Sequence, residues 1–96
     1  MKIPKKVKIG GTTYNVITSV ERLFKGDDCS AEINYYDSII EISRNCGEQR
    51  AKRDFLHEVV HAIYDNLGYT EHDEKQIDEL AGALYQVIVD NPEMFR

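Results

Sequence analysis

The chain has 96 residues, 42% of them hydrophobic and 30% charged, and its formal net charge is −5. These figures fit one small globular domain spanning residues 1–96 and exclude a disordered segment, because the apolar residues fall in periodic runs. The acidic balance argues against nucleic-acid binding: the basic block Lys2, Lys5, Lys6 and Lys8 is short, and Glu71, Asp73, Glu74, Asp78, Glu79 and Asp90 make the second half acidic.

The opening Met1-Lys2-Ile3-Pro4-Lys5-Lys6 is basic, but no apolar signal region follows it. No stretch approaches the roughly 18 apolar residues of a membrane span. The expectation is a cytoplasmic protein in which Cys29 and Cys46 are reduced thiols, their spacing matching no Cys-x-x-Cys site. Val7-Lys8-Ile9 alternates, Gly10-Gly11 marks a turn, and Tyr14-Asn15-Val16-Ile17 is rich in β-branched and aromatic residues, which predicts a hairpin. Residues Leu23 to Ser30 read as a loop around Gly26-Asp27-Asp28. Ala31–Tyr35 and Ile39–Ile42 alternate on either side of Tyr36-Asp37-Ser38 and predict a second hairpin.

The second half has helical spacing. Phe55, Leu56, Val59, Val60, Ile63 and Leu67 predict a helix from about Glu48 to Leu67, with Gly68 suited to the left-handed position beyond its end. Thr70 or Asp73 can cap a second helix that carries Ile77, Leu80, Ala81, Leu84, Val87 and Ile88 and stops at Asn91-Pro92. Strands followed by helices predict an α+β fold: a small antiparallel β-sheet of two hairpins, covered on one face by two helices.

His57-Glu58-Val59-Val60-His61 is an HExxH run inside the first predicted helix. Residues four apart share one helix face, with Cβ atoms about 6 Å apart. Two imidazoles so placed can converge on one tetrahedral zinc ion, each at about 2.0–2.1 Å, while Glu58 reaches a bound water rather than the metal. A catalytic zinc needs a third protein ligand and one open position. The extended HExxHxxGxxH form is excluded, since Tyr64 and Leu67 stand where it requires glycine and histidine. Glu74 is favoured as third ligand, because it shares a stripe with Ile77, Asp78 and Ala81 on the second helix. Glu79 and His72 remain as alternatives. Asp78 is placed to accept a hydrogen bond from the outer nitrogen of a ligating histidine, which fixes its tautomer. Tyr64 and Tyr85 are the candidate donors to a reaction oxyanion, although core packing is the ordinary role of such aromatics.

Phe55–Ile63, followed by Glu74-Lys75-Gln76-Ile77-Asp78-Glu79-Leu80-Ala81, resembles the ImmA/IrrE-type zinc metallopeptidases. More narrowly, the chain resembles small phage and prophage proteins of that type, as do its opening Lys8–Tyr14, its Leu84–Val87 and its Asp90-Asn91-Pro92. In the family's E-x-x-A-[ND]-x-F-A segment, Ile77 stands for the alanine and Leu80 for the phenylalanine, and the resemblance puts the third ligand on Glu74. It implies one zinc per chain and hydrolysis of a peptide bond in a protein substrate, with Glu58 activating the water. An exposed edge strand at Ile39–Ser43 is expected to pair with an extended peptide. Two other classes are kept: a zinc-binding interaction module that engages a host protein without cleaving it, and an acidic interaction protein in which the motif is incidental. Metal content separates the last from the rest, and Glu58→Gln separates enzyme from module.

Overall fold

The computed structural model describes residues 1–19, 31–43 and 47–95. Cys29, Cys46 and the loop expected at Leu23 to Ser30 lie outside the described residues. The elements run β1 (Lys6–Ile9), β2 (Thr12–Ser19), β3 (Ala31–Asn34), β4 (Ile39–Ser43), α1 (Glu48–Asn66), α2 (Glu74–Asp90) and a 3₁₀ turn at Pro92–Phe95. The fold is α+β, as the sequence predicts.

Both hairpins form. β1 pairs antiparallel with β2 across Gly10-Gly11, whose φ angles of 57° and 93° suit a two-residue turn with left-handed backbone. A side chain at Gly10 would also overlap Asn66 at the end of α1. β3 pairs antiparallel with β4, and the side chain of Asn34 closes the intervening turn by accepting from the Asp37 amide at 2.9 Å.

The sheet is mixed rather than purely antiparallel. Its order is β1-β2-β4-β3, and the inner strands β2 and β4 run parallel, with Val16 opposite Ile40 and Thr18 opposite Ile42. Burial explains the order. Ile40 and Ile42 are wholly inaccessible and need neighbours on both sides, whereas the more polar Ala31-Glu32-Ile33-Asn34 tolerates an edge. Ile39–Ser43 is therefore an interior strand, not the free edge expected from the sequence. Among the described residues the edges are β1 and β3.

Strand alternation turns Tyr14, Val16, Ile40 and Ile42 onto one face, where Ala51, Phe55, Leu56, Val60 and Ala62 of α1 cover them. The helix ends in a Schellman motif: the Gly68 amide donates to the Asp65 carbonyl and the Tyr69 amide to the Tyr64 carbonyl, with Gly68 at φ 93°. Asp73, not Thr70, caps α2. Its Oδ1 accepts from the amides of Lys75 and Gln76 at 3.0 and 3.2 Å. α2 packs on α1 through Ile77, Ala81 and Tyr85, a narrower stripe than the sequence predicts. Leu80 and Val87 stay nearly half exposed, because a helix with one neighbour buries only the side turned to it.

Candidate metal centre

Helix spacing brings His57 and His61 together on the face of α1 that α2 overlooks at its first turn. Their ring centroids lie 5.0 Å apart. Asp73 starts α2 immediately before Glu74, so the cap determines where that carboxylate emerges. The Glu74 carboxylate spans both rings: Oε2 lies 3.1 Å from His57 Nε2, and Oε1 lies 2.8 Å from His61 Nε2. Ligating atoms of His57, His61 and Glu74 all fall within 4.8 Å of one another. Two imidazole nitrogens and a carboxylate this close form a donor set that can hold a metal ion; without one, protonated ring nitrogens can donate to the Glu74 carboxylate instead.

The outer nitrogens are also occupied. His57 Nδ1 is 3.3 Å from Asp78 Oδ1, the contact anticipated for Asp78. His61 Nδ1 is 2.8 Å from His72 Nδ1. His72, weighed from sequence as a ligand, instead stands behind His61, and Glu79 is exposed and outside the cluster.

Glu58 is buried, with 7% of its surface accessible. Burial pushes its carboxyl up to about 7, opposed by His57 and reinforced by Glu74, Asp54 and Glu32. Burial also lowers the pKa of the His61 imidazole, against the pull of Glu74, which favours the neutral ring a metal requires.

The cluster opens into a cleft of about 700 Å³. One wall is the β3 edge, with Ala31, Glu32 and Ile33; the other includes Asp65, Tyr69 and Thr70. Neither tyrosine expected from sequence lines it. Tyr64 packs against the rings of Tyr69 and His72, and Tyr85 is buried in the core. Tyr35 does line the cleft. Its phenol is pushed up to about 12, chiefly by burial and then by Asp65, so it keeps its proton at neutral pH and can donate. No local signal marks Tyr35, since it follows a strand and reaches the site only through the β3–β4 turn.

Comparison with protein-family models, with curated proteins and with solved structures returns no match. No helix among the described residues is long and apolar enough to cross a membrane. What the chain can do is therefore read from its own residues.

Proposed function

We propose that this chain is a zinc-dependent metallopeptidase that hydrolyses a peptide bond in a protein substrate. The observation that carries the reading is the convergence of His57, His61 and Glu74 within 4.8 Å beside a buried Glu58, on the floor of an open cleft. Two imidazoles and one carboxylate with a position left open make a catalytic zinc donor set, and the nitrogen donors favour zinc over magnesium or calcium. Zinc held by His57, His61 and Glu74 would supply Lewis acidity and make a water in the cleft easier to deprotonate. Glu58 takes the proton of the attacking water and returns it to the departing amine. Tyr35 is a neutral donor in the cleft that can serve the developing oxyanion. The substrate backbone adds to the edge of β3, the strand beside the cluster, in place of Ile39–Ser43. The motif's resemblance to ImmA/IrrE-type peptidases supports the same activity.

Elemental analysis of the purified protein, with His57→Ala and Glu74→Ala, is the first test. About one zinc per chain is expected, lost or weakened in both variants. No zinc after reconstitution would remove the metallopeptidase reading; zinc retained by Glu74→Ala would move the third ligand elsewhere. A peptide-library screen then compares wild type with Glu58→Gln, which should keep its zinc and lose at least about 100-fold in rate. Equal cleavage by both would clear Glu58 of its role, and zinc without cleavage would leave a binding module that engages a host protein.

A further inference from the structure

His57, His61 and Asp65 follow one another at intervals of four on α1, so Asp65 continues the ligand stripe one turn past His61. It lines the cleft together with Tyr35 and Tyr69. After burial, the Asp65 charge has the largest effect on the Tyr35 phenol, which puts the carboxylate and that ring at the same end of the cleft.

The position is a poor one for the fold. Asp65 lies in the last turn of α1, where the helix dipole is negative and no basic side chain balances it. Its carboxylate has no hydrogen bond or ion pair to a described residue. A charge that the helix end disfavours and no neighbour compensates is available to a group from outside the chain.

The rest of the cleft agrees in sign. Among the described residues it is lined by the carboxylates of Glu32, Glu58, Asp65 and Glu74 and by no lysine or arginine. In the zinc reading Glu74 is occupied by the metal and Glu58 by the water, which leaves Glu32 and Asp65 uncompensated. Glu58 is only 7% exposed, and no hydrogen bond or ion pair ties it to a described residue, so the floor of the cleft is also incomplete without a ligand. A long basic side chain suits the Asp65 end. Its head meets a carboxylate, and its apolar stem has the rings of Tyr35 and Tyr69 to lie on.

We propose that the cleft takes a peptide segment carrying a lysine or arginine, whose charged head pairs with Asp65 and whose stem lies on Tyr35 and Tyr69. Asp65 stands about 6 Å beyond His61, and a peptide lying along β3 advances about 3.3 Å per residue, so the basic residue sits about two positions from the bond at the metal. That placement rests on the peptidase reading above; the choice of a basic side chain does not.

The test uses the full-length chain carrying Glu58→Gln, so that bound peptide is not cleaved, and loaded with zinc. Dye-labelled pools of ten-residue peptides, random except for one fixed central residue, are titrated by fluorescence anisotropy. Pools with fixed lysine or arginine should bind about 3- to 5-fold more tightly than the glutamine pool, as for an ion pair in contact with solvent. Adding Asp65→Asn should erase that preference, and adding Asp65→Lys should turn it toward the glutamate pool. Adding Glu79→Gln, which removes the same charge outside the cleft, should leave it intact. No preference for basic pools, or one that survives Asp65→Asn, would overturn the proposal. Circular dichroism checks folding. Asp65→Asn relieves an unfavourable charge at a helix end and should fold, so it decides the matter if Asp65→Lys does not. Should wild type bind zinc and cleave peptides without regard to basic residues, this proposal fails and the peptidase reading stands. Should wild type take up no zinc or cleave nothing, the peptidase reading fails, and the same pools titrated against the metal-free chain still decide the role of Asp65.

Discussion

Glu58 shows what a single residue costs this fold. Its carboxyl titrates at about 7 in the folded chain, against 4.5 for an ordinary glutamate. Between those values the folded state holds a proton that the unfolded chain has released. Stability of the metal-free protein therefore falls as pH rises from about 4.5 to 7 and stays lower above that range, by up to roughly 3 kcal/mol from this group. Glu58→Gln removes the penalty. In thermal denaturation of the metal-free proteins the variant should exceed wild type near pH 8 and match it near pH 4. A constant difference across that range would show that Glu58 does not carry the proton. Reading the difference between the two proteins cancels the opposing contribution of His61, whose burial destabilises the acid side. A buried carboxylate that opposes folding is retained at little benefit to the core, which fits a chemical task.

At the scale of elements, the site depends on how α2 begins. Asp73 satisfies two amides of its first turn, and Glu74 is the next residue. Asp73→Ala should cost about 1 kcal/mol of stability by chemical denaturation, because those amides lose their acceptor. It should also weaken zinc binding in chelator competition, since a frayed first turn releases Glu74 from its place between the two histidines. Stability lost with zinc affinity intact would mean that Ile77 and Ala81, packed on α1, hold Glu74 without the cap. The Schellman end of α1 has a matching role, since it orients the Tyr69 carbonyl on which His72 leans.

For the whole molecule, a metal at this site clamps α1 to α2. α2 is held by a single buried stripe of Ile77, Ala81 and Tyr85, and the clamp adds a tie at its first turn. Zinc that binds only the folded chain stabilises it by about 2.7 kcal/mol at a free concentration 100 times Kd. The melting temperature should rise with added zinc in wild type and not in His57→Ala. A rise of equal size in both would place the metal elsewhere. The mixed sheet matters at the same scale. Parallel pairing of β2 with β4 sends β3 to the edge, and that edge forms one wall of the cleft.

Local pattern determined most of the elements: both hairpins, α1 from Glu48, the Gly68 terminus and the stop at Asn91-Pro92 were legible, because turn chemistry, helical periodicity and caps act over a few residues. The pairing of His57 with His61 was legible for the same reason, since four residues make one helical turn. The placing of Glu74 was legible in part, through its stripe with Ile77 and Asp78. Tertiary structure alone decided the rest. Which strand lies at the edge depends on competition between Ile40 and Ile42 and the more polar β3 for the sheet interior, and strand alternation does not record it. Tyr35 in the cleft and His72 behind His61 follow from contacts between different elements, whereas core packing of Tyr85 was the ordinary reading of its place on the Ile77–Ala81 stripe. Such contacts arise only when α1 settles on the sheet and α2 on α1, and nothing in a residue's own neighbours encodes them.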